Sequence, residues 1–262
     1  DVQWSEDGKH LAFVSTSRDH KQEWLRVADA SNGNVRDVLS ETVATYFESG
    51  NGKVNWKYLP QSNEVLWFSE RDNWGQMYLY DLTTGKLKNQ ITHGDGNVTQ
   101  VLHVDEKARK IYFLAVGKEP GRDPYFSHYY SINFDGTGQK LLTPENADHA
   151  VTSSSDGRYF VDVYSTPTQP QTTVVRDSDG KLVTEVAKQD ITQLLAAGWV
   201  PPIPFTVKAR DVKTDLYGFM FKPTNFEAAK KYPIINHIYP GPQTGSCGTR
   251  SFSAARWDNQ SL

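Results

Sequence analysis

Cysteine is close to absent: Cys247 is the only one among 262 residues. That excludes an internal disulfide framework and a zinc site built on paired thiolates, and it leaves the redox compartment open. Methionine is scarce too, with 2 residues. No apolar stretch approaches the roughly 20 residues that span a bilayer. The opening Asp1-Val2-Gln3-Trp4 has none of the basic-then-apolar character of a signal peptide, which leaves two readings, a cytosolic protein or a native start further upstream. Charge of one sign is also lacking. The 28 basic residues are offset by 31 acidic ones for a net charge of −3, and no basic stripe is present that could neutralise a phosphate backbone. Nucleic acid is therefore not an expected partner, and no metal or cofactor is expected.

Aromatic residues are plentiful, with 7 Trp, 13 Tyr and 12 Phe, which suits strands filled by rings and branched aliphatics. These strands repeat. The first unit has a turn at Asp7-Gly8, strands Leu11–Val14 and Trp24–Asp29, a turn at Ser31-Asn32-Gly33-Asn34 and a strand around Val35–Leu39. The same order returns as Val65–Phe68, Gln76–Asp81, a turn through Gly85 and Leu87–Ile91. A third unit gives Ile111–Leu114, His128–Asn133, a turn through Gly136 and Lys140–Leu142, and a fourth gives Tyr159–Val163, Thr172–Asp177, a turn through Gly180 and Leu182–Val186.

The turn glycines at 33, 85, 136 and 180 are 52, 51 and 44 residues apart, each where a hairpin needs a residue that tolerates positive φ. Four strands and a hairpin glycine per 40–50 residues match a propeller blade. A plain β-sandwich also has regular short strands, but it does not predict the same strand–turn–strand order four times over. Residues 1–187 are accordingly expected to form about four β-propeller blades. Propellers close with about four to eight, so further blades are expected upstream of Asp1.

The pattern changes near residue 188. Asp190 is placed to cap a short helix that ends at Gly198, and Trp199-Val200-Pro201-Pro202-Ile203-Pro204 suits a stiff linker. Residues 188–204 are assigned to that linker. Three strand candidates follow, Phe205–Ala209, Leu216–Pro223 and Tyr232–Tyr239. The last is the most apolar, as a strand covered on both faces would be, and it ends in the turn Tyr239-Pro240-Gly241-Pro242.

The segment Phe68-Ser69-Glu70-Arg71-Asp72-Asn73-Trp74-Gly75-Gln76-Met77-Tyr78-Leu79-Tyr80-Asp81 resembles the blade motif of dipeptidyl peptidase IV-like members of the prolyl oligopeptidase family. Lys222-Pro223, Lys231-Tyr232-Pro233 and the turn at Tyr239 resemble the start of that family's catalytic domain, in the family's order. The resemblance implies a mainly β chain whose blades lead into the first strands of an α/β-hydrolase domain over residues 205–262. It also implies a serine peptidase that releases N-terminal dipeptides with Pro or Ala at the second position, without a cofactor. The family's nucleophile lies in a G-x-S-x-G elbow. No such pentapeptide occurs here, so the serine, acid and histidine of the triad are expected beyond Leu262 and this piece alone is expected to be inactive.

One catalytic role carries over, to Tyr239, whose hydroxyl would donate to the oxyanion of the tetrahedral intermediate. The family's substrate-amine glutamates are not matched. Glu41, Glu48 and Glu70 are assigned to solvated faces or loops, Glu70-Arg71-Asp72 to a surface charge cluster or hairpin device, and Lys118–Tyr125 to a mobile loop tip, with an interaction loop as the alternative. His237 is read as a strand residue rather than a triad base. The resemblance also favours a periplasmic, secreted or membrane-anchored location, and uncovered blade faces raise the expectation of a homodimer. The alternative is a non-catalytic propeller module or an inactive relative of the peptidases.

Overall fold

The computed structural model describes residues 2–47, 55–237 and 250–255. Four antiparallel four-stranded sheets follow one another along the chain. The first is β1 (Val2–Trp4), β2 (His10–Thr16), β3 (Gln22–Asp29) and β4 (Val35–Thr42), and the second is β5 (Lys57–Leu59), β6 (Glu64–Ser69), β7 (Gln76–Asp81) and β8 (Leu87–Gln90). The third is β9 (Asn97–Asp105), β10 (Lys110–Val116), β11 (His128–Asn133) and β12 (Lys140–Leu141), and the fourth is β13 (Asp148–Ser153), β14 (Tyr159–Thr166), β15 (Gln169–Asp177) and β16 (Leu182–Lys188). In each sheet the strands lie side by side in chain order, the meander of a blade. The chain divides into two compact units: blades 1 to 3 form one, and blade 4 with all that follows, joined by residues 125–127, forms the other.

The turn glycines behave as their spacing predicts. Gly33, Gly85, Gly136 and Gly180 have φ of 75°, 65°, 83° and 80°. An acidic or amide side chain opens each turn: the Asp29, Asp81 and Asp177 carboxylates accept backbone N–H groups of Ser31, Thr84 and Lys181, respectively.

Packing between blades explains the composition of the strands. Val65, Trp67, Tyr78 and Tyr80 join Leu25, Val27, Val38 and Leu39 in a core shared with blade 1. Their alternates Leu66, Met77 and Leu79 join Ile111, Phe113, Tyr130 and Ile132 in a core shared with blade 3. Strands β6 and β7 are therefore buried on both faces, not half-buried, and read as continuous apolar runs because each face has its own neighbour. Polar ties cross the same seams. Arg36 donates to the Leu82 carbonyl (3.0 Å) and Asn89 to the Phe134 carbonyl (2.9 Å). The Gln3 amide donates to the Trp56 carbonyl (2.9 Å) and accepts from the Tyr58 N–H (3.0 Å). Glu64, 2 % exposed, is held by Lys88 of its own blade and Arg109 of the next.

Two expectations fail here. The loop at Lys118–Tyr125 is tied down rather than a mobile tip: Lys118 Nζ donates to the His93 carbonyl (3.0 Å), the Tyr130 hydroxyl to Glu119 (2.8 Å) and Arg122 to the Pro144 carbonyl (3.1 Å). Residues 232–237 lie in no strand, and Ile234 and Ile235 are exposed. A buried parallel strand needs neighbours and covering helices, and among the described residues none flank this segment.

Candidate functional site

The short helix α1 (Thr192–Ala196) begins where Asp190 accepts the Thr192 N–H (2.8 Å) and ends before Gly198 at φ 87°. Two strands then pair antiparallel, β17 (Ile203–Lys208) and β18 (Asp215–Met220), with Phe205 opposite Gly218. The chain next closes a local aromatic turn in which Phe226 stacks on Tyr232 at 5.1 Å, the Tyr232 hydroxyl accepts the Glu227 N–H (2.9 Å), and the Lys222 ammonium lies 4.4 Å from the Phe226 ring. Tyr239, the one catalytic residue expected from sequence, and the Pro240-Gly241-Pro242 turn lie outside the described residues, as does Glu48.

Beyond that turn the chain is described again at 250–255, where it is seated on blade 4. The Phe252 N–H donates to the buried Ser165 hydroxyl (2.9 Å), and Trp199 Nε1 donates to the Ala254 carbonyl (2.7 Å) with its ring 5.4 Å from that of Phe252. Arg250 is buried with its guanidinium 4.4 Å from the Phe219 ring and 5.0 Å from the Tyr125 ring, a cation held between aromatic faces. Nothing local in the sequence signalled that Trp199 and residues 250–255 meet.

In blades 1 to 3 the sequence reading placed Glu41 on a solvated face, and the structure overturns this. Glu41 closes β4 with its side chain only 10 % exposed. Its carboxylate accepts from Trp67 Nε1 (2.7 Å), from the Ser69 hydroxyl and from Arg71 (2.6 Å). Arg71 also donates to Ser69 Oγ (2.9 Å) and the Tyr80 hydroxyl (2.8 Å), and lies 4.3 Å over the Tyr78 ring. Burial works against the Arg71 charge, but the Tyr80 hydroxyl and the Glu41 carboxylate outweigh it and raise its pKa above the usual value. Burial, with Asp72 nearby, pushes the Tyr78 phenol up to about 12. Glu70-Arg71-Asp72 is thus a hairpin device, with Arg71 turned into the seam between blades 1 and 2. Glu70 remains exposed.

Blade 4 gathers the described residues that best suit a metal, Glu145, His149 and Asp162, whose ligand atoms lie within 4.8 Å of one another. They do not fit one. Arg176 Nε donates to Asp162 Oδ2 (3.1 Å) and Arg176 Nη2 to Glu145 Oε1 (2.5 Å), while both His149 ring nitrogens are engaged, Nδ1 with Asp162 Oδ1 (2.8 Å) and Nε2 with the Glu145 carbonyl (3.1 Å). A guanidinium already supplies the positive charge between the carboxylates.

Meandering four-stranded blades in series define a β-propeller protein whose chain continues into a further strand pair. The chain belongs to the dipeptidyl peptidase IV family: the model of the dipeptidyl peptidase IV (DPP IV) N-terminal region matches residues 1–171. It is 27 % identical over 225 residues to dipeptidyl peptidase 4 of Arthroderma otae, a match covering 83 % of this chain and 26 % of the relative. A probable dipeptidyl-aminopeptidase B of Paracoccidioides brasiliensis is 25 % identical over 92 % of this chain and 27 % of its own length. The chain thus spans about a quarter of the length of the curated relatives it matches. Among solved structures, a putative dipeptidyl aminopeptidase IV from Bacteroides ovatus superposes with a TM-score of 0.79 at 26 % identity, over 99 % of this chain and 39 % of that one. Dipeptidyl peptidase 4 of Porphyromonas gingivalis superposes at 0.80 with 19 % identity, over 98 % and 35 %, and shares the fold.

Proposed function

We propose that this chain is part of a serine dipeptidyl aminopeptidase that releases N-terminal Xaa-Pro or Xaa-Ala dipeptides. In this reading the propeller blades limit which peptides reach the catalytic centre, and residues 205–262 open the hydrolase domain that carries it. The reading draws its support above all from one observation. The relative named as a dipeptidyl-aminopeptidase aligns over 92 % of the chain, so the likeness runs past the blades into the segment that holds Lys222-Pro223 and the Tyr239 turn. In this role Tyr239 donates its phenol hydroxyl to the oxyanion formed when the catalytic serine attacks the scissile carbonyl. A neutral donor on a rigid ring suits charge that appears only in the transition state, and one such donor is worth about 10²–10³ in rate. A homodimer completes the reading.

The test is turnover of a chromogenic Xaa-Pro substrate by the full-length protein and its Tyr239→Phe variant. The variant should lose about 10²–10³ in kcat with its fold intact. No turnover by the full-length protein would favour a non-catalytic propeller module, and an unchanged kcat in the variant would remove Tyr239 from the mechanism.

A further inference from the structure

Residues 250–255 belong to no strand or helix, so their backbone N–H groups have no ladder partners. The Phe252 N–H finds its acceptor on β14 of blade 4. There the register against β15 shifts between Tyr164 and Thr166, leaving Ser165 without a paired residue on that strand. An irregularity of this kind re-aims a side chain, and the Ser165 hydroxyl, 3 % exposed, accepts the Phe252 N–H at 2.9 Å. Trp199, ahead of β17, makes the second contact. Its Nε1 donates to the Ala254 carbonyl (2.7 Å), and its ring is buried 5.4 Å from that of Phe252. Arg250 makes the third. Its guanidinium lies 4.4 Å from the Phe219 ring of β18 and 5.0 Å from the Tyr125 ring. Tyr125 in turn meets Tyr217, on the same face of β18 as Phe219, at 5.7 Å. All of these residues lie in one compact unit.

We propose that residues 250–255 are a clasp that fastens the strand pair β17–β18 to blade 4, and that its release is the opening through which a long peptide reaches the catalytic centre. β17 is exposed along its whole length and α1 buries none of its residues, so neither packs a face against blade 4. The hold falls to the contacts at Ser165, Trp199 and Arg250. Ser165 ties the clasp to blade 4, Trp199 ties it to the chain before β17, and Arg250 ties it to β18. None of the three belongs to the cores between blades. A junction held by a few separate contacts opens locally, at far less cost than unfolding a blade. The role in access rests on the reading of the chain as part of a dipeptidyl aminopeptidase; the clasp itself does not.

Hydrogen exchange read by mass spectrometry on the full-length protein, with turnover measured alongside, tests this. In Ser165→Ala the Phe252 N–H loses its acceptor, and in Trp199→Phe a ring stays while its donor goes. Each should speed exchange of peptides covering 215–220 and 250–255 roughly tenfold, while those covering β15 and blade 1 stay level. If one variant fails to fold, the other decides. Ser154→Ala removes a hydroxyl bound within its own turn and should change nothing at 250–255. With the open form more populated, kcat/KM for a long peptide with proline at its second position should rise by up to the same factor. That for a chromogenic Xaa-Pro substrate should stay as it was. Unchanged exchange at 250–255 in both variants, or faster exchange throughout blade 4, would overturn the clasp. Faster exchange at 215–220 and 250–255 with no gain on the long peptide would overturn its role in access. A full-length protein that turns over neither substrate would remove the peptidase reading and the access role with it, and the exchange results alone would decide the clasp.

Discussion

Gly85→Ala separates the local cost of a turn from the cost of disturbing a seam between blades. Gly85 and Gly8 both sit in hairpin turns, with φ of 65° and 67°. A methyl group at either must occupy the left-handed region, at about 1–2 kcal/mol for a residue other than glycine. At Gly8 that is the whole effect, since no atom lies within 4 Å of the added carbon. At Gly85 the methyl would also overlap the Val38 carbonyl of blade 1. That is backbone, which cannot rotate away, so the seam holding Trp67 and Leu39 must part. Overpacking of this kind costs about 1–3 kcal/mol more. Gly136 falls between, its methyl meeting the Ile91 carbonyl at 3.0 Å. Urea denaturation of the full-length protein, followed by tryptophan fluorescence, should rank the losses as Gly85→Ala, then Gly136→Ala, then Gly8→Ala. Equal losses for all three would refute the claim that the turn of one blade is wedged against the outer strand of the blade before it.

Glu41→Ala removes the shared acceptor of Trp67, Ser69 and Arg71 and should cost about 2–3 kcal/mol by the same assay; a midpoint like that of the unaltered protein would return Glu41 to a solvated role. Burial opposes ionisation of Glu64, but Arg109 and Lys88 overcome it and hold its pKa below the usual 4.5. Its contribution is therefore complete above that value and lost as pH falls through the lower, folded-state one. Stability curves of the protein and Glu64→Gln should converge on acidification below about pH 4.5, and a gap that persists there would argue against the ion triad. The loop at Lys118–Tyr125 should resist limited proteolysis under native conditions, and rapid cleavage there would contradict its three ties.

The blades were legible because each repeats one local grammar: apolar strand, apolar strand, turn with a positive-φ glycine, outer strand. Strands β5, β9 and β13 escaped that reading for physical reasons. β5 is three residues long, and β9 shifts register against β10 twice, which breaks the period-two signal. β13 is an edge strand of mixed polarity, paired only with β14. The apolar run at 232–237 misled in the other direction, since hydrophobicity records what a strand could bury and not whether a partner is beside it.

Taken alone, the sequence determined the repeat, the hairpin glycines and the family likeness, all of which depend on neighbours a few residues apart or on motif order. Tertiary structure alone decided which charges meet. Glu41 and Arg71 are 30 residues apart, Glu145 and Arg176 31, Glu64 and Arg109 45. Two of these pairs form only when one blade is laid against the next, and the third spans three strands of blade 4 and its connector. Strand periodicity tells a side chain which face to take. It carries no information about the group on the facing blade, and for Glu41 and Glu64 that group decided that the carboxylate is buried in an ion pair.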